Sequence, residues 1–406
     1  MGMHHYRFSI SWPRILPTGY ANKINAKGVE YYQSIVSECL RHGIIPVATI
    51  YHWDMPVAIQ DLGGFMNPDI VPHFVNYARV VIRSLPGVGV WNTMNEPKLV
   101  CTRGYGEGAF APGIQNSGYG EYQCAYVLVL AHAAIYRMYK KEFPHYKAKM
   151  SIVIDGEWNE PASKKIQDIE AAERRNQFEF GLYANPIFNG DWPQVVIDRV
   201  EEKSAMENYL SSRLPRFTRK QIEFVKGTFD FLGFNNYWTH IVADAEESSS
   251  EGPPSYVNDI RVVFKDDPKW KVASCGFNIV PWGIRKMLKW CKDNYNNPPI
   301  FITENGVCDN GTSLIDFERI QFFQDYLGEV LNAIYEDGVN VYAYTAWSLI
   351  DNFEWLQGYS AHYGFYHIDF EDPERKRIPK KSARYYRDIC VRGELPKREN
   401  LKSYLN

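Results

Sequence analysis

Seven short apolar runs, each followed by a stretch with helical spacing, constrain the fold of this 406-residue chain more than any other feature. They begin near Tyr6 (YRFSISW), Ile45 (IPVATIYHW), Val88 (VGVWNTMNE), Lys149 (KMSIVIDGEW), Phe229 (FDFLGFNNYW), Pro299 (PIFITENG) and Val339 (VNVYAYTAWSL). Between the first two, Val29, Tyr32, Val36, Cys39 and Leu40 recur at the spacing of one helix face. Ile320, Phe323, Leu327, Leu331 and Ile334 do the same between the last two. Strands alternating with helices predict parallel βα units. The C-terminal ends of these runs carry His52, Trp53, Asn95, Glu96, Asn235, Tyr237, Glu304 and Trp347. Functional side chains at the ends of many strands point to an α/β fold of the (β/α)₈ TIM barrel type, whose βα loops build a single site. A doubly wound sheet would gather them at one crevice and bring a GxGxxG turn, which is absent here.

A closed barrel of this type has eight strands, and the pattern supplies seven. Residues 160–228 read as helices and loops, so they do not hold the eighth. The expected architecture is therefore one barrel domain over residues 1–406, incomplete at its N-terminus and lacking the first strand and its βα loop. The runs at Tyr6 and Val339 would then each carry an unpaired edge. A chain of that form is expected to be weakly active or inactive. Residues 246–255 (EESSSEGPPS) read as a solvent loop.

Composition narrows the function. A net charge of −3 gives no general electrostatic reason to bind nucleic acid or anionic membrane. There is no apolar run of membrane-spanning length, and the N-terminus shows no signal-peptide pattern, which leaves localisation open. Aromatic residues make up 15% of the chain, which suits either a large core or a surface that stacks on sugar rings. Seven cysteines lie without CxxC or metal-ligand spacing, so buried thiols and one or two disulfides are both open. One glycosylation sequon starts at Asn310.

Two of the strand ends carry glutamates flanked by asparagine, in WNTMNEP (91–97) and FITENG (301–306). Two carboxyl groups facing one cavity are what glycoside hydrolysis requires: one protonates the leaving oxygen, the other attacks or stabilises the oxocarbenium-like centre. Their surroundings must differ for their pKa values to differ. Arg7 is the best cation to hold Glu304 ionised, and Tyr237 could donate a hydrogen bond to the same carboxylate.

YRFSISWPRILPTG, YHWDMP, TMNEP, GFNNYW, PPIFITENG and WSLIDNFEW, in this order, resemble glycoside hydrolase family 1, the β-glucosidase family, in its animal and insect members. The resemblance runs from residue 6 to about 390. It implies a retaining β-glycosidase acting on terminal β-glucosides, or on β-galactosides and β-fucosides, with Glu96 as acid/base and Glu304 as nucleophile. It also implies sugar contacts from His52 (3-hydroxyl), Asn95 (2-hydroxyl), Asn235, Tyr237 and Glu354 (4- and 6-hydroxyls). Trp355 would assist Glu354, and Trp347 would form the stacking floor. Trp53 and Tyr363 are expected to line the site, and Asp54 and Asp351 to make structural hydrogen bonds. Family members carry a first strand followed by a Gln–x–Glu–Gly segment, and neither is found in this sequence. No metal or organic cofactor is implied. The expected partner is a small β-glycoside or oligosaccharide, and nothing in the sequence supports a homo-oligomer. Two alternatives stand beside this reading: a thioglucosidase, and a non-catalytic glycosidase-like binding protein.

Overall fold

A computed structural model describes residues 1–405 except 246–251, 266, 277 and 312. The expected loop at 246–255 thus falls largely outside the described residues, as does Thr312 of the sequon, whose Asn310 is exposed. The principal sheet has seven parallel strands. They are β1 (His5–Ser9), β2 (Ile45–Tyr51), β3 (Val90–Asn95), β4 (Lys149–Asp155), β5 (Leu232–Asn235), β6 (Ile300–Glu304) and β7 (Val341–Tyr344). They lie side by side in that order, with β1 and β7 at the two ends. Each begins within three residues of the position read from the sequence.

The inner strands are near-continuous apolar runs because both of their faces are covered. Only the first residue of β2 is exposed and all of β6 is buried, whereas β1 and β7 are largely half-buried. Helices cover the outer face, among them α1 (Ala26–Arg41), α2 (Val71–Ser84), α3 (Gly120–Glu142), α4 (Pro281–Asn294) and α5 (Phe317–Tyr335). On α1, Tyr32, Val36 and Cys39 face inward. Leu40 departs from the expected face and is 52% exposed, because one residue further along rotates a side chain onto the flank. On α5, Ile320, Phe323, Tyr326 and Val330 pack inward.

Two irregularities fall where the sequence places its glutamates. Asn92 and Asn95 of β3 pair with Ser151 and Val153 of β4, so β3 carries one residue more than its neighbour just before Glu96. Ile302 and Glu304 of β6 pair with Phe234 and Asn235 of β5, again with one extra residue. Such bulges re-aim the side chains that follow them. Disulfides then tether both segments: Cys101–Cys124 joins the turn after Glu96 to α3, and Cys275–Cys308 ties down the turn after Glu304. Cys39, Cys291 and Cys390 are free thiols.

The ends of the sheet curl toward each other without pairing. The His5 ring lies 2.7 Å from Thr345 Oγ1 and packs edge-on against Phe301. Between them is a cavity of 520 Å³ lined by Tyr6, Phe8, Tyr32, Tyr344, Ala346 and Phe365, among others. Among the described residues no eighth strand joins the sheet. The stretch 160–228 is helices and loops, as expected, apart from the end of a strand at Trp158–Pro161. That strand pairs with Thr239–Asp244, which pairs with Val262–Lys265, in a separate three-stranded sheet over the C-terminal ends of β4 and β5 that the sequence pattern did not reveal.

Candidate active site

Glu96 and Glu304 line one cavity of 630 Å³ at the C-terminal ends of the strands. Both are buried, at 5% and 4% exposure, so their charges act through a poorly screened interior. Glu96 has φ of 46°, the left-handed region, directly before Pro97. A non-glycine residue held there costs about 1–3 kcal/mol and persists only where the surroundings over-determine it. Asn235 helps to do so: its amide donates to Glu96 Oε1 at 2.7 Å and lies 3.2 Å from Asn95 Oδ1, while Thr303 donates to its carbonyl oxygen at 2.7 Å.

The two carboxyl groups are supported differently. Arg7 binds Glu304 Oε1 through one guanidinium nitrogen and Asn95 Oδ1 at 2.6 Å through the other. The Tyr237 hydroxyl donates to Glu304 Oε2 at 2.7 Å. Arg7 and Tyr237 are thus brought onto Glu304 as the sequence suggested. Glu96 receives an amide, a neutral donor. Burial, then the Glu304 charge, then that of Asp155 push its carboxyl well above the usual carboxylate range.

Most of the remaining expected side chains line the same cavity, whereas Asn95, 1% exposed, lies behind its wall. His52 Nε2 lies 3.2 Å from the Asn95 amide nitrogen. Burial and the Arg7 charge lower its pKa to about 3, so it is a neutral imidazole. The Trp53 indole donates to the Asn95 carbonyl at 2.9 Å and packs against Trp355, with ring centroids 4.3 Å apart. Trp347 donates to Glu354 Oε1 at 3.1 Å. Gly306, just beyond Glu304, could carry no side chain, because a Cβ there would sit 1.9 Å from the Trp347 carbonyl oxygen. Burial and then the Glu304 charge raise Glu354 to about 7, against the lowering effect of the Trp347 bond. Tyr363 also lines the cavity. Asp54, two residues after His52, is half-buried, and desolvation raises its pKa to about 6.

Asp351, His362 and His367 hold ligand atoms within 4.8 Å of one another and are the described set that could hold a metal. Lys380 and the Gly364 amide already donate to Asp351 Oδ1, at 3.3 and 2.9 Å, while Oδ2 lies 2.8 and 3.1 Å from the His362 and His367 rings. The set does not line the cavity of the two glutamates.

The sequence did not single out an ion cluster on the wall above β4 and β5. Lys98 bridges Asp155 at 2.7 Å and Glu157 at 3.3 Å. Arg175 pairs with Glu179 at 2.7 Å and Glu157 at 3.5 Å, and the His240 ring lies 3.0 Å from Glu157. The acids in DGEW at the end of β4 were the available signal, but their partners come from a helix and from the small sheet.

Strand-end placement, paired buried glutamates and an aromatic-walled cavity define the class of barrel that hydrolyses glycosides. The family described as glycosyl hydrolase family 1 matches residues 1–394, and the chain belongs to it. It is 41% identical over 399 residues to Myrosinase 1 of Brevicoryne brassicae, covering 97% of this chain and 85% of the relative. It is 40% identical to the human cytosolic β-glucosidase, covering 96% and 83%. Against human lactase/phlorizin hydrolase the identity is 38% over 96% of this chain, which spans 20% of that protein. Among solved structures, aphid myrosinase superposes with a TM-score of 0.91 at 40% identity, covering 96% of this chain and 84% of that one. A rice β-glucosidase mutant in covalent complex with Glc superposes with a TM-score of 0.89 at 35% identity, covering 98% and 85%.

Proposed function

We propose that residues 1–406 act as one retaining β-glycosidase unit on terminal β-glucosides. In the first step the Glu304 carboxylate attacks the anomeric carbon, the bond to the leaving oxygen breaks, and that oxygen takes the Glu96 proton. In the second, Glu96 takes a proton from water as the water oxygen attacks the same carbon. The ester to Glu304 then breaks, releasing a β-configured sugar and restoring both residues. Asn235 is a positioning residue that fixes Glu96, and Arg7 and Tyr237 hold Glu304. His52, Asn95, Glu354 and Trp355 would bind sugar hydroxyls, with Trp347 beneath the ring. A retaining mechanism requires the carboxyl groups to lie about 5–5.5 Å apart.

The observation that carries this reading is the unequal support of two buried carboxyl groups in one cavity. One is bonded by a guanidinium and a phenol, and the other is pushed toward its acid form. The covalent Glc complex of the rice relative fits the same two-step route. A dinitrophenyl 2-deoxy-2-fluoro-β-glucoside should leave a stable adduct on the peptide containing Glu304, read by mass spectrometry. Absence of that adduct would sink the reading in favour of a non-catalytic binding protein. Likeness to a myrosinase gives a second reading, thioglucoside cleavage. Parallel assays on an aryl O-glucoside and a glucosinolate separate the two.

A further inference from the structure

Lys380 breaks the local rules of its position. It opens the helix α6 (Lys381–Arg392), where a short polar or acidic side chain would cap free backbone N–H groups and a cation opposes the helix dipole. Its side chain makes no cap bond. Instead it is wholly buried, with its ammonium 3.0 Å from Asp309 Oδ2 and 3.3 Å from Asp351 Oδ1. A local rule broken in this way calls for a reason at longer range.

The two acids stand on the loops that follow β6 and β7. Asp309 comes directly after the Cys275–Cys308 tether, on the loop that begins at Glu304. Buried Arg319 fixes it, pairing with Asp309 at 2.7 Å and donating to the His362 carbonyl at 2.6 Å. Asp309 and His362 also exchange main-chain bonds of 2.9 and 3.1 Å. Asp351 lies between Trp347 and Glu354 and is 1% exposed. Of the groups paired with it among the described residues, Lys380 is the one lysine or arginine, the others being His362 and His367.

Glu354 itself is less firmly held. Its neighbours Phe353 and Leu356 are 53% and 75% exposed, so this stretch gains little from packing. Its distance from Glu304 therefore depends on where Asp351, three residues earlier, is fixed. Removing one partner of a buried ion pair leaves an uncompensated charge, which the surrounding chain relieves by moving. Two carboxylates that address one sugar ring need a fixed span, and a misplacement of about 1 Å costs on the order of 10²-fold.

Resting on the glycosidase reading above, we propose that Lys380 is a positioning residue for sugar recognition. By bridging Asp309 and Asp351 it sets the separation between Glu304 and the hydroxyl-binding Glu354.

The test compares two covalent reagents on the full chain, the dinitrophenyl 2-deoxy-2-fluoro-β-glucoside used above and the corresponding β-xyloside, which lacks the 6-hydroxyl. Both present the same leaving group to Glu304, and the ratio of their labelling rates, read by mass spectrometry, reports the contact with Glu354. The native chain should label at least about tenfold faster with the glucoside. Lys380→Met should lower that ratio toward one while both reagents still label Glu304. Where Lys380→Met does not fold, Asp309→Asn cuts the same bridge from its other end with little change of shape and carries the same expectation. Because the ratio is taken on one protein sample, losses of folded fraction cancel. Arg213→Met, which breaks an equally buried ion pair with Asp259 elsewhere in the fold, should leave the ratio unchanged. A ratio near one in the native chain, a native ratio in the folded bridge variant, or an equal fall in Arg213→Met overturns this proposal while leaving the glycosidase reading intact. Failure of both reagents to label Glu304 overturns both.

Discussion

The two flanks of the strand-end mouth are built to different standards. Glu96 follows and Glu304 ends a strand that is hydrogen-bonded on both sides, carries a bulge before the glutamate, and is tethered by a disulfide just beyond it. Arg7, Trp347 and Glu354 sit on or after β1 and β7, which among the described residues are each paired on one edge and are separated by a cavity of 520 Å³. The proposed bond-making groups thus occupy the well-supported flank, and much of the proposed sugar recognition the open one. Arg7 links the two flanks, because it stands on β1 and binds Glu304, so loss of order on the open flank would reach the carboxylate pair through that side chain.

The contrast can be broken by substitution and exchange. The largest effect is expected for Glu304→Gln, which should reduce cleavage of an aryl β-glucoside by more than about 10⁴-fold and abolish covalent labelling. Retention of labelling would mean that the supported flank does not hold the nucleophile. Glu96→Gln should cost about 10²–10⁴-fold for an alkyl leaving group and far less for dinitrophenolate, which needs no protonation. Equal losses for both leaving groups would remove Glu96 from the acid role.

On the open flank, amide exchange should be about 10–10²-fold faster in β1 and β7 than in β3 and β6, because local opening there breaks one ladder instead of two. Turnover of an aryl β-glucoside by the 406-residue chain is accordingly expected below the usual enzymic range of about 1–10³ s⁻¹. Uniform protection with turnover inside that range would erase the distinction between the flanks.

The smallest effect concerns Glu354, whose pKa is raised to about 7. Its acceptor strength is present above that value and is lost as pH falls through it. KM should therefore rise toward acid pH by at most about tenfold per unit, with kcat changing less. A KM that stays flat from pH 8 to 5.5 would remove Glu354 from sugar binding.

Much of this was legible in the chain. Each strand of the main sheet starts within three residues of its apolar run, and the inner strands, buried on both faces, leave the clearest apolar signature. Arg7 and Tyr237 were legible as partners of Glu304 because they stand on or at the ends of strands of the same sheet. The three-stranded sheet was not legible, since strands as short as Trp158–Pro161 show too few residues for periodicity to register. Neither was the bonding of Lys98 to Asp155 and Glu157, nor the choice of Cys101–Cys124 and Cys275–Cys308 among seven cysteines.

What the sequence determined by itself is the parallel sheet, its seven strands and the two glutamates that end them, because periodicity and strand-end chemistry are local properties. Only the tertiary structure decided which donors each glutamate receives, which cysteines pair, and which acids above β4 and β5 share Lys98. Those outcomes depend on distances between segments far apart in the chain, which no local pattern encodes.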